Sequence, residues 1–139
     1  MNTEINKRTA RKLFESVDKG DYDTSRAQLT PDFVAHMAGN ERAMNADEFE
    51  GMARMFTASF ANSRHIIESQ LAEDDWVVTR LIWTGLHVGD FSGIPASQKP
   101  VRIDAVAHDR FVDGRIAEHR TIIDVMGLMV QIGALPAAA

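Results

Sequence analysis

Residues 118–124 read EHRTIID and place two carboxylates, an imidazole and a guanidinium within one short stretch. These side chains can exchange a proton near neutral pH or steady a developing anion. In an extended strand successive side chains alternate, so Glu118, Arg120, Ile122 and Asp124 share one face and His119, Thr121 and Ile123 the other. Two readings follow. The strand turns its charged face into a pocket and does acid–base chemistry. Or it ends by capping the next segment, VMGLMVQIG, a closing helix for which Asp124 is the N-cap, a role worth about 1 kcal/mol.

The preceding strand, VRIDAVAHDRFV, is joined through the turn signal Asp113-Gly114. A two-residue turn sets Ala105, Ala107 and Asp109 beside the face of Asp124. A three-residue loop from Val112 to Gly114 sets Val106, His108 and Arg110 there instead. The longer loop is preferred, because only Gly114 then needs a positive φ. The face so assembled, Asp104, Val106, His108, Arg110, Glu118, Arg120, Ile122 and Asp124, is too charged for a core and is expected to be a concave wall. The opposite face, Ile103, Ala105, Ala107, Thr121 and Ile123, is small and apolar, which points to a homodimer through it.

The elements that must position these residues are legible as patterns. In RTARKLFESVDKG, Ala10, Leu13, Phe14 and Val17 recur at helical spacing, with Gly20 as the stop. DTSRAQL reads as a short helix capped by Asp23 and broken by Pro31, and DFVAHM as a short strand. Asn45 with Glu48 forms a capping-box pattern ahead of a helix whose apolar stripe is Phe49, Met52, Phe56 and Phe60. RHIIESQLAE and WVVTRLIWTGLHV flank a hairpin turn at Asp74-Asp75, and GDFSGIPASQKP is a loop. Helices followed by a meander of long strands predict an α+β fold: a cone-shaped, curved antiparallel sheet wrapped over N-terminal helices, with a short C-terminal helix. Its open end would be a pocket.

The composition bounds the function. The chain has 139 residues, 45% hydrophobic and 25% charged, which suits one domain over 1–135 with a frayed tail at 136–139, within the low-complexity end ALPAAA. The net charge of −5 argues against nucleic acid or an anionic membrane as partner. No apolar run is long enough to span a bilayer, and the polar start MNTEINKRTARKLF lacks the signal-peptide pattern, so a cytoplasmic location is expected. There is no cysteine, which excludes disulfides and thiolate chemistry. The histidines, His36, His65, His87, His108 and His119, have no metal-ligand spacing. His65 and His119 read as surface or interface residues.

Three stretches together, KGDYDTSRAQLTPDFVAH, DDWVVTRLIWTGLHVGDFSGIPASQKPV and FVDGRIAEHRTIIDVMGLMVQIG, resemble the SnoaL-like polyketide cyclase family, within the nuclear-transport-factor-2-like fold. The pattern carried is GLHVGDFSGIP, then the Asp-Gly-Arg-Ile hairpin, then Glu-His, an Asp and a Gly-Leu helix. Departures are Arg120 where the family often has Trp, IPASQ in the loop, and Ala107 where an acid is common. The resemblance implies a cofactor-free enzyme that closes a ring by aldol chemistry on a carbonyl-bearing, hydrophobic or aromatic small molecule. It implies no metal and an Asp on the last strand as acid/base. Asp124 best matches that spacing, with His108, His36 and Arg120 around it, and Arg110 and Glu118 in the same wall. Trp83, Met52 and Phe56 would pack against substrate, and Phe91 and Ile94 would cover the mouth. His87 adjoins the loop, where a backbone hydrogen bond is its plainer role. The Met52/Met55/Phe56 and Met126/Met129 sets are core by the plainer reading. Two alternatives stand beside this one. One is a non-catalytic module that binds a small molecule in the same fold. The other is an epoxide hydrolase or dehydratase, for which two acids and an Arg must hold a water; Arg120 pairing with Glu118 or Asp124 as a structural ion pair is the plainer reading of those groups.

Overall fold

The computed structural model describes residues 2–137. Helices α1 (Thr3–Asp18) and α2 (Tyr22–Ala27) lead into strand β1 (Leu29–Met37). Helix α3 (Ala46–Ser59) follows, then β2 (Phe60–Glu73), β3 (Trp76–His87), β4 (Pro100–Val112), β5 (Arg115–Ile123) and helix α4 (Val125–Gln131). The strands form one sheet in the order β1-β5-β4-β3-β2. The meander β2 to β5 is antiparallel as expected, but β1 runs parallel to β5, so the sheet is mixed. The expected tail at 136–139 lies partly outside the described residues.

Local chemistry accounts for most boundaries. The Asn45 side chain accepts from the Glu48 backbone N–H at 2.9 Å and the Glu48 side chain accepts from Asn45 at 3.2 Å, closing the capping box of α3. α2 is capped by Asp21, two residues before the expected Asp23. Pro31 does not end that helix; it lies inside β1, on the sheet edge, where its missing N–H breaks no ladder and the register with β5 shifts.

The Asp113-Gly114 connection is the two-residue turn, with both residues at positive φ (50° and 80°) and Val112 paired with Arg115. The expected three-residue loop is therefore absent. The partners expected from it nevertheless appear. One extra residue, Ala117, bulges from β5 between the Phe111/Ile116 and Arg110/Glu118 pairs. Beyond that bulge His108 faces Arg120, Val106 faces Ile122 and Asp109 faces His119. A continuous ladder from the turn would have set Asp109 opposite Glu118 instead.

The direction of the faces is the reverse of the expectation. Along β4, Val101, Ile103, Ala105, Ala107, Asp109 and Phe111 are buried and the residues between them are not. Ile103, Ala105, Thr121 and Ile123 line the interior and Ala107 is fully buried, so they cannot form the dimer surface assigned to them. The charged set points outward, because Glu118 finds its partners in neighbouring arginines and does not require a pocket. The inner face holds two apolar clusters. One, around Phe60, Trp83, Phe91 and Leu128, includes α4; the other, around Leu13, Phe33, Val77 and Ile116, includes α1 and β1. Between helices and sheet they leave a cavity.

Candidate active site

The cavity has a volume of about 100 Å³. α1 supplies Leu13, Phe14 and Val17, and α3 supplies Phe49, Met52 and Phe56. The sheet contributes Met37, His65, Leu81, Trp83 and Ile103, and from β5 His119, Thr121 and Ile123. The wall is hydrocarbon and aromatic, interrupted by two histidines and by the hydroxyls of Ser63, Thr57 and Thr121. Trp83 is held in place by donating its Nε1–H to Ser63 Oγ at 2.7 Å.

The strongest polar constellation is on the inner face of β4 and β5. Asp109 is 0% exposed and His119 4% exposed. Asp109 Oδ1 lies 2.5 Å from His119 Nδ1, and His119 Nε2 lies 2.6 Å from Thr121 Oγ1. A carboxylate accepts only, so Nδ1 carries the proton and Nε2 is the lone-pair nitrogen of the neutral ring. Phe49 packs edge-on to the ring at 5.2 Å and Phe14 lies at 6.2 Å, so the imidazole has little freedom to turn. Asp109 Oδ2 has no hydrogen-bond partner among the described residues. A buried acceptor left so costs about 1–3 kcal/mol, more when charged, which is not how a purely structural ion pair is built. Together these groups form a base with a fixed tautomer, set at the wall of an apolar cavity, with a carboxylate behind it to compensate the charge the ring acquires.

Three of the side chains expected to touch substrate, Met52, Phe56 and Trp83, do line this cavity. The others are elsewhere. Asp124 is exposed and accepts from the Gly127 backbone N–H at 2.8 Å, so it is the N-cap of α4 and not a group of the cavity. His108 lies on the outer face and packs against the Trp76 ring at 4.2 Å. Arg120 and Arg110, also outside, both pair with Glu118, at 2.7 and 3.3 Å. His36 lies 3.8 Å from the same carboxylate, and its neighbour Met37 is the one that lines the cavity. Burial pushes the Glu118 carboxyl up, but the hydrogen bonds from Arg110 and Arg120 outweigh it and hold the group below its ordinary value of 4.5. Phe91 is buried against Phe56 and Phe60, at 5.4 and 5.3 Å, and Ile94 packs on the same cluster; neither lines the cavity. His87 is fully buried and does hold the loop: its Nδ1 accepts from the Ser97 backbone N–H at 3.1 Å.

The residues that sequence reasoning missed are Asp109, His119, Thr121, His65 and Asp18. Asp109 had a signal: it is the one charged member of the alternating series Val101, Ile103, Ala105, Ala107, Asp109, Phe111. His119 and Thr121 had one too, sharing a face with Ile123. The outer position of Arg120 also removes the hydrolase site, since among the described residues no arginine lines the cavity. Among the described residues no group of three or more His, Asp or Glu converges as a metal site.

The profile of the SnoaL-like polyketide cyclases matches residues 7–132 of the chain. Aklanonic acid methyl ester cyclase DnrD of Streptomyces peucetius is 27% identical over 139 residues, covering 96% of this chain and 92% of that protein. Among solved structures, IdmH of Streptomyces antibioticus superposes with a TM-score of 0.83 at 28% identity, covering 92% of this chain and 98% of its own. AclR of Streptomyces galilaeus superposes at 0.89 with 24% identity, covering 99% and 87%, a likeness of fold alone. With its profile match spanning nearly the whole described fold, this chain belongs to the SnoaL-like polyketide cyclase family.

Proposed function

We propose that this chain is a cofactor-independent cyclase acting on a hydrophobic, carbonyl-bearing polyketide, with His119 as the base and Asp109 as the residue that orients it. The observation that carries the assignment is the buried Asp109–His119 pair beside an apolar cavity, with Nε2 directed to the Thr121 hydroxyl on the cavity wall. In the reaction, Nε2 removes a proton from the carbon next to a carbonyl. The resulting enolate carbon attacks a second carbonyl carbon of the same molecule, forming the ring bond and leaving an alkoxide. A proton delivered to that oxygen completes the step, so the product is an isomer of the substrate. Thr121 O–H, freed from Nε2 as the ring is protonated, is placed to donate to the enolate oxygen. Asp109 itself does not touch substrate in this scheme, because it is 0% exposed behind the imidazole.

The substrate class is supported by the similar Streptomyces peucetius protein, whose name gives aklanonic acid methyl ester as the compound cyclised. That compound is the test substrate. Ring closure by the wild type and at least a ~100-fold loss in His119→Gln, the usual range for removing a general base, is the expected result. A His119→Gln protein that cyclises at the wild-type rate refutes the assignment of the base.

A second, non-catalytic reading draws on Asp124, the acid/base first expected, whose carboxylate caps a helix outside the cavity. It differs in one outcome: the wild type would bind a hydroxyanthraquinone and turn nothing over. The cytoplasmic location and the homodimer belong to the same proposal. For the dimer, the outer face offers Val106 and Ile122, paired across the strands and 39% and 64% exposed. A single-copy mass by light scattering at micromolar concentration would remove that contact.

A further inference from the structure

A second carboxylate–imidazole pair contributes its imidazole to the cavity, and it comes from α1 and β2, not from β4 and β5. Asp18 closes α1, and its Oδ1 lies 2.6 Å from Nδ1 of His65 on β2. The other oxygen, Oδ2, accepts from the His65 backbone N–H at 2.8 Å. The carboxylate is thus gripped at both oxygens and cannot rotate away from the ring. The carboxylate takes the Nδ1–H, so Nε2 is the nitrogen left for whatever enters, and it is an N–H donor when the ring is an imidazolium. No side chain or backbone group among the described residues hydrogen-bonds to His65 Nε2.

His65 lines the same cavity as His119. Phe14 packs near both, 5.0 Å from the His65 ring and 6.2 Å from that of His119. The two rings differ in one respect. The His119 side chain is 5% exposed and that of His65 20%, so the second is the more open to solvent. A purely structural tie between a helix end and a strand would be served by the backbone hydrogen bond alone.

We infer that His65, held by Asp18, is the general acid of the ring closure: its imidazolium gives the proton that the new alkoxide takes up. This rests on the cyclase reading and assigns the one proton which that reading left without a donor. The protons balance. His119 ends the step protonated and His65 neutral; His119 then loses a proton and His65 regains one from water, so no other reactant is consumed. Base and acid act at two points of one ligand, which a single imidazole could do only by moving between them.

The titratable groups facing His65 are few. Asp18 of α1 pairs with it, and His119 of β5 lines the same cavity. The lining side chains of α3 and β3, Met52, Phe56, Leu81 and Trp83, carry no charge. The pH–rate profile for aklanonic acid methyl ester therefore separates the two histidines. His119 must be neutral, so its loss of function gives the acid limb; His65 must be charged, so its loss gives the alkaline limb. His65→Gln is expected to lower kcat ~100-fold with little change in KM and to abolish the alkaline limb while keeping the acid one. Asp18→Asn, which keeps an acceptor for the His65 backbone N–H, should weaken kcat without abolishing it. An alkaline limb unchanged in His65→Gln overturns the inference, whatever the melting temperature does. A measurement without turnover separates this from failure of the cyclase reading: imidazole ¹⁵N spectra of the wild type with a hydroxyanthraquinone as enolate mimic. Shifts at Nε2 of both histidines support the inference. A shift at His119 alone overturns it and leaves the base in place; no shift at His119 removes the base and this inference with it.

Discussion

Replacing Asp109 by Asn separates catalytic from structural use of the buried pair. Asn keeps an oxygen for the His119 Nδ1–H, so the tautomer survives, but the negative charge behind the ring is gone. Hydrogen bonds to charged groups contribute about 1.5–3 kcal/mol, and this one matters most when the ring becomes a cation. At about 1.4 kcal/mol per factor of ten, kcat should fall roughly 10- to 150-fold. Stability should move the other way or not at all. The carboxylate is 0% exposed with Oδ2 unpaired, and a neutral amide in its place carries a smaller desolvation cost. The assays are ring closure of aklanonic acid methyl ester at neutral pH and thermal unfolding of the same preparations. A kcat within twofold of wild type, or a stability loss above about 2 kcal/mol that accounts for the lost activity, would refute the reasoning.

Other substitutions test the surrounding assignments. Asp124→Asn should leave both activity and stability near wild type, since Asn is an equally good cap, whereas Asp124→Ala should cost about 1 kcal/mol in a melting experiment and leave kcat unchanged. A Cβ at Gly127 would run into the Asp124 carboxylate, so Gly127→Ala should lose the cap in the wild type but stabilise the Asp124→Ala protein, where only helix propensity remains; a double-mutant cycle reads the sign change. Glu118 has a folded-state pKa held down by Arg110 and Arg120, so its contribution, at most about 1 kcal/mol, is present above pH 4.5 and lost as pH falls through the lower folded value. Glu118→Gln should therefore melt slightly below wild type at pH 7, with the gap closing in acid, and its activity should be unaffected.

The architecture was legible because alternation and capping are local. The Asn45/Glu48 box and the turns at Asp74-Asp75 and Asp113-Gly114 are written in adjacent residues. The parallel pairing of β1 with β5 is not, since it joins strands some eighty residues apart around an edge that Pro31 makes irregular. The site was misplaced for a physical reason. A charged strand face does not mark a pocket here, because Glu118, Arg110 and Arg120 satisfy one another on the outside. The informative residue was the lone acid on the apolar side of β4, Asp109. Even so, its pairing with His119 depends on the Ala117 bulge, which neither the turn nor the alternation announces. Asp18 and His65 lie 47 residues apart and meet only through the docking of α1 on β2.

The most direct test of His119 as the base is its proton transfer alone, before any ring closes: exchange of the α-hydrogens of aklanonic acid methyl ester in deuterated water, catalysed by wild type and by His119→Gln. The account expects exchange in the wild type and a rate at least ~100-fold slower in the variant. Equal exchange by the two proteins would contradict it.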